Sequence, residues 1–298
     1  MQQLSDMLAE LTGETLIRPF STAEFHDRVE SLLAKHGSQG RPDSTREQAD
    51  LHNWVLRYAL RMSEMTYRRW NDPAPEASDE LKQRFKEAVE PYPSTNDDFH
   101  QGAVDSASSL RRALKIHSTL QGQGPVLFLG DDDACSIALA LLGDYTITAA
   151  DIDSTILDWI RRSSQRIGVD IEVSLADVRN PPPAFRDKYL AVVTDPSSDW
   201  ALAQCFLRAS RFSLQRGGWL FWADHPDLNF AYEKLVEFSH QLGFETLEVL
   251  ENWHSYSPVV YNDSTARWFG FPPEFFQRLA AVISIWSHLH VTRLRVLN

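Results

Sequence analysis

The chain has 298 residues, 43% of them hydrophobic with 9 Trp and 16 Phe, and a formal net charge of −12. That apolar content excludes a disordered chain, and the acidic balance argues against nucleic acid as a general partner, because phosphate contacts need a basic face. Two cysteines, Cys135 and Cys205, lie in apolar helical patterns outside any CxxC and are read as buried hydrophobes in a reducing compartment; without a signal peptide or an apolar run of about 18 residues, a cytoplasmic protein with no membrane span is expected.

The first 90 residues read as helical. Residues 22–37 begin at a capping threonine, Thr22, and stop at Gly37. Over 44–70, Leu51, Trp54, Val55, Tyr58, Ala59, Met62 and Met65 recur at three- and four-residue steps, which predicts an amphipathic helix. A proline- and acid-rich break over 71–80 precedes a short helix ending near Val89. The expected division is a helical N-terminal domain over 1–90, a turn-rich connector contributing to the site over 91–120, and a catalytic domain over 121–298.

After Gly124 short apolar runs alternate with helical patterns. Strands are predicted over 126–129, 145–150, 170–174, 189–194, 218–223, 245–250 and 290–296, and helices over 134–142, 154–167, 199–214 and 229–242. This is the pattern of an α/β protein: a mostly parallel sheet covered on both faces, with the last strand antiparallel, as in a class I methyltransferase-like Rossmann sheet.

Ligands of such sheets bind beyond the carboxyl ends of the strands. Four successive strands carry acids there: Asp131, Asp132 and Asp133 after the first, Asp151 and Asp153 after the second, Asp177 after the third and Asp195 after the fourth. Asp151 stands about 20 residues past the first loop, where a ribose diol is held. Asp177 stands where an adenine amino group could be read. The first loop has one glycine, Gly130, and three negative charges, and it lacks the extra glycines that bring a backbone to a pyrophosphate. NAD and ATP therefore fit poorly. A nucleoside carrying a positive group fits better, and an S-adenosyl sulfonium compound has the adenine, the diol and the charge without phosphate.

The stretches "VLFLGDDDACS", "AADID" and "VVTDPSSDW" resemble the branched-chain polyamine synthase family, in which Gly-Asp-Asp-Asp replaces the glycine-rich loop. "FHQGAVDSASSLRRAL" is similar to that family's Asp-Gln segment leading into an arginine-bearing helix, and "ENWHSYS" to its Asn-x-x-x-Tyr stretch. The resemblance covers about residues 92–260. It implies a class I S-adenosylmethionine fold and transfer of an aminopropyl group from decarboxylated S-adenosylmethionine to an amine, with release of methylthioadenosine. It places Gln101, Gly130, Asp133, Asp151, Ile152, Asp177, Val178 and Pro196 at the nucleoside and Asp131, Asp132 and Asp195 at the chemistry. Asp195 is the candidate to hold the attacking amine and accept its proton. The partner implied is a small cationic substrate.

Two departures fall on the acceptor side. Ser197 follows Pro196 where the family has a second proline, and His100 stands where it has Asp. They leave open an S-adenosylmethionine-dependent 3-amino-3-carboxypropyl transfer, including closure to azetidine-2-carboxylate. A donor carboxylate would then need Arg111, Arg112 or Gln101. A conventional methyltransferase and a non-catalytic Rossmann binding domain are further alternatives. Tyr92, Phe99, Trp200, Trp222, Trp253 and Tyr256 are predicted near rim loops, as a possible aromatic lining for the sulfonium. His100, His225 and His254 have no metal-like spacing and are read as surface histidines. Residues 267–276 read as a packed insertion, a candidate lid or homodimer contact.

Overall fold

The computed structural model describes residues 77–93, 99, 101, 104–196, 199–224, 232–256 and 285–296. The two predicted helices before residue 71, His100, Ser197, Ser198, His225 and the 267–276 segment lie outside the described residues. Apart from Ile285 and Trp286, the described residues belong to one compact unit, Ala74–Tyr256 with Ser287–Asn298.

Seven strands form one sheet: β1 (Pro125–Leu129), β2 (Thr146–Asp151), β3 (Ile171–Leu175), β4 (Tyr189–Thr194), β5 (Leu214–Asp224), β6 (Phe244–Tyr256) and β7 (Ile285–Leu294). Their order is β3-β2-β1-β4-β5-β7-β6. The first five pair in parallel, and β7 runs antiparallel to β5. This is the class I methyltransferase-like sheet that the alternation implied. Six α-helices accompany it among the described residues: α1 (Asp79–Val89), α2 (Ser106–Leu120), α3 (Cys135–Ala140), α4 (Ser154–Ile167), α5 (Trp200–Ser213) and α6 (Tyr232–Gln241).

Side chains alternate along β1, so one strand feeds two cores. Val126 and Phe128 pack with residues of α1 to α4, while Leu127 and Leu129 pack with residues of α5 and α6. The central strands are therefore apolar on both faces, which explains their continuous hydrophobic runs. α1 shares the first core: Phe85, Ala88 and Val89 are buried, and the Trp159 indole of α4 donates to the Val89 carbonyl at 3.1 Å.

Side-chain caps start α2 and α4. Asp105 accepts the Ser108 N–H at 2.8 Å to start α2, and Asp153 accepts the Thr155 N–H at 2.8 Å to start α4. Gln121 and Gly168, both left-handed, stop them.

Three strands depart from their predicted bounds, among them β7, which runs over Ile285–Leu294 instead of 290–296. β5 starts at Leu214, because Leu214 pairs with Tyr189 before a register shift restores regular pairing from Ala191 with Trp219. β6 continues to Tyr256, where an isolated bridge to Val104 and contacts from α2 hold a polar stretch in the sheet. Cys135 is buried as expected, whereas Cys205, on α5, is half-buried.

Candidate functional site

The register aligns the strand ends. Leu129 pairs with Ala150 on one side and Thr194 on the other, Asp151 pairs with Leu175, and Thr194 pairs with Trp222. The residues that follow are thereby set side by side along one rim. Gly130 turns the chain out of β1 at φ 70°, a left-handed conformation that favours glycine, and its N–H donates to the Ala150 carbonyl at 2.9 Å.

The three adjacent aspartates have different surroundings. Asp131 is 1% exposed. Its N–H donates to Asp151 Oδ2 at 3.3 Å, its Oδ1 accepts the Ser136 N–H at 3.2 Å, and its Oδ2 has no hydrogen-bond partner. Burial, followed by the charge of Asp133, pushes its carboxyl well above the usual range. Asp132 is half-buried. Asp133 is 4% exposed; it accepts the Cys135 N–H at 3.0 Å and pairs with Arg112 Nη1 at 2.8 Å. Burial raises the Asp133 carboxyl, against the pull of the guanidinium.

Asp151 is nearly buried and accepts the Asp153 N–H at 2.8 Å. Burial raises its carboxyl, partly offset by the N–H groups of Asp153 and Asp131. Asp153 works as the α4 cap and takes Gln101 Nε2 at 2.9 Å. Against the desolvation that would raise it, the hydrogen bonds from Gln101 and Thr155 hold its carboxyl low. Ile152, between them, is 43% exposed, an apolar side chain left at the rim. Asp177 is held low by hydrogen bonds from Arg179, whose Nη2 lies 2.6 Å from Asp177 Oδ2. Val178 beside it is half-buried, and Pro196 is buried.

Asp195 sits on the other side of β1. Its Oδ2 accepts Arg112 Nη2 at 2.9 Å and the Tyr256 hydroxyl. Arg112 Nε donates to His254 Nε2 at 3.0 Å, and His254 Nδ1 lies 3.2 Å from Ser287 Oγ. Arg112 is 2% exposed, and two carboxylates balance its desolvation and keep it charged.

These positions revise several expectations. His254 is fully buried against Arg112 rather than on the surface, because β6 reaches past it. Tyr256 and Trp253 stand on β6, not in a loop, and the Trp253 carbonyl accepts from Arg111 Nη1. Trp222 is a core residue stacked on His290 at 4.0 Å, so it does not line the rim. Tyr92 is half-buried, with a buried hydroxyl lacking a hydrogen-bond partner; desolvation, then the charges of Asp132, Asp133 and Asp131, raise its proton affinity. Phe99 and Trp200 are exposed.

A fifth strand-end carboxylate, Asp224 on β5, is buried opposite His288. The run "FWAD" carried that signal, but the strand reading stopped at Ala223. Among the described residues, no three His, Cys, Asp or Glu side chains form a group that could hold a metal, and no helix is long and apolar enough to cross a membrane.

Carboxylates along one rim can accept ammonium groups and diol hydroxyls and can receive a proton. The family model of the branched-chain polyamine synthase A C-terminal domain matches residues 80–298. The N(4)-bis(aminopropyl)spermidine synthase of Thermococcus kodakarensis is 26% identical over 201 residues, covering 65% of this chain and 57% of that protein. The enzyme of the same name from Methanocaldococcus jannaschii is 32% identical over 199 residues, covering 63% and 56%. The chain thus spans a little over half the length of these relatives. The crystal structure of the branched-chain polyamine synthase from Thermus thermophilus, in complex with N4-aminopropylspermidine and 5'-methylthioadenosine, matches with a TM-score of 0.61 at 24% identity, over 73% of this chain and 65% of that one.

Proposed function

Because this chain belongs to the branched-chain polyamine synthase family, we propose that it is an aminopropyltransferase, moving the aminopropyl group of decarboxylated S-adenosylmethionine to an amine of the polyamine class. The acceptor class rests on the names of the relatives. The observation that carries the reading in this chain is the alignment of Asp131, Asp151 and Asp195 at neighbouring strand ends.

Asp151 holds the ribose diol, beside Ile152 as an apolar contact for the adenine, with Asp177 and Val178 at the purine edge. Gly130 keeps the loop close to the nucleoside, Gln101 and Pro196 flank it, and Asp133 supports the loop from behind. The buried Asp131 carboxylate and Asp132 take the donor's primary ammonium. Asp195 holds the acceptor nitrogen in line with the propyl carbon next to sulfur. The nitrogen lone pair forms the new C–N bond, and the C–S bond breaks with its electron pair going to sulfur. Methylthioadenosine leaves, and the proton released by nitrogen passes to the Asp195 carboxylate.

The decarboxylated donor is favoured by what the candidate cations already do. Arg112 is shared between Asp133 and Asp195, Arg111 donates to the Trp253 carbonyl, and Gln101 donates to Asp153. A carboxylate on the donor would meet a rim of acids and would need one of these contacts broken.

The test incubates the full chain with decarboxylated S-adenosylmethionine or S-adenosylmethionine, each with and without spermidine, and follows products by mass spectrometry. Methylthioadenosine and an aminopropylated amine, formed only with the decarboxylated donor and spermidine, are expected. Azetidine-2-carboxylate from S-adenosylmethionine alone, or S-adenosylhomocysteine, overturns the proposal.

A further inference from the structure

We infer that Arg112, seated by His254 and joined by Tyr256, is a positioning residue that fixes the Asp195 carboxylate relative to the donor loop. The inference rests on the reading that Asp195 meets the acceptor nitrogen. α2 carries the guanidinium into the core, and three of its nitrogens are engaged: Nη1 with Asp133 at 2.8 Å, Nη2 with Asp195 at 2.9 Å and Nε with His254 at 3.0 Å. Asp133 follows β1 in the loop that holds Asp131 and Asp132, whereas Asp195 follows β4. One rigid, planar cation therefore spans the donor and acceptor sides of the rim.

The fork is itself fixed. Because His254 Nε2 accepts from Arg112, its proton is on Nδ1, which donates to Ser287 Oγ at 3.2 Å. α2 is tied to the end of β6 by Asp105 N–H to the Ser255 carbonyl at 2.9 Å and by Ser255 N–H to Ser108 Oγ at 2.8 Å. Arg112 and Tyr256 both donate to Oδ2 of Asp195, which restrains rotation of the carboxylate and leaves Oδ1 to other partners. Neutralising one guanidinium needs one carboxylate, yet two share this one. The remaining negative charge is relieved when a substrate ammonium arrives. The charged or titratable groups around Asp195 are Arg112 from α2, Asp133 and Cys135 after β1, and Tyr256 and His254 from β6.

The test measures kcat and donor KM by methylthioadenosine release for Tyr256→Phe, Arg112→Lys, Arg112→Met and Asp195→Asn in the full chain. For Tyr256→Phe and Arg112→Lys, kcat falls at least about tenfold while donor KM stays within about twofold, the signature of an interaction needed in the transition state. Arg112→Lys retains more activity than Arg112→Met. Where an arginine variant fails to fold, Tyr256→Phe, which removes one oxygen, decides. Wild-type kcat in Tyr256→Phe overturns the inference. Full turnover in Asp195→Asn overturns the reading of Asp195 itself, whereas a dead Asp195→Asn beside wild-type Tyr256→Phe and Arg112→Lys sinks the positioning role alone.

Discussion

At the scale of one residue, the role proposed for Asp131 at the donor ammonium stands against stability. The folded chain binds its proton more tightly than the unfolded chain does, through burial and the neighbouring Asp133. Such a group contributes stability below the ordinary carboxylate value, and that contribution is lost as pH rises through the folded value. Asp131→Asn removes the loss, since an amide oxygen can still accept from Ser136. At pH 8 its thermal midpoint rises by about 2–4 °C, roughly what 1 kcal/mol gives in a chain of this size. The gain shrinks toward pH 4, and binding of decarboxylated S-adenosylmethionine weakens. Thermal scans across pH and a binding titration check both halves; a midpoint unchanged at pH 8 refutes the first. The aspartates were legible in the sequence because each one ends an apolar run, and an acid there has one rim to face. Arg112 was legible as a cation but not as a bridge, since its partners come from loops 21 and 83 residues further on. His254 carried no local mark of burial; its surroundings are α2 and Ser287, which only the folded sheet supplies.

Among the elements, β1 depends on one close approach at its start. Gly124 has φ 71°, and a Cβ there would lie 2.5 Å from Leu190 Cβ on β4. Gly124→Ala therefore costs about 1–3 kcal/mol, from left-handed strain and overpacking together, and lowers the urea midpoint without changing the slope. An unshifted midpoint would show that β4 yields there freely. The helix capped by Asp153 could be placed from sequence because periodicity and stop signal agree, whereas α2 (Ser106–Leu120) lies in a stretch read as a turn-rich connector, its helical character carried only by the family resemblance. β6 could not be followed past Leu250. Its last residues are polar and aromatic, and they stay in the sheet because α2 satisfies them, an instance of tertiary context deciding strand length. β5 began early for a similar reason: Leu214 pairs with Tyr189 ahead of the bulge.

For the whole molecule, a formal charge of −12 sets the long-range field. Cationic substrates are drawn toward such a surface, and salt screens the attraction over a Debye length of about 10 Å at 0.1 M. Raising sodium chloride from about 50 to about 500 mM should lower kcat/KM for the amine acceptor about three- to tenfold and leave kcat within about twofold. A kcat/KM indifferent to salt would show that encounter is not steered. Net charge was plain in the composition, and what it could not reveal was where the acids converge, which follows from strand order and register. The contacts between α2 and the end of β6 join residues 142 and 147 positions apart. Pairings that distant form late and slowly. On the ribosome, the guanidinium emerges long before the imidazole and phenol that seat it, so a nascent chain carries its acidic loop without that support.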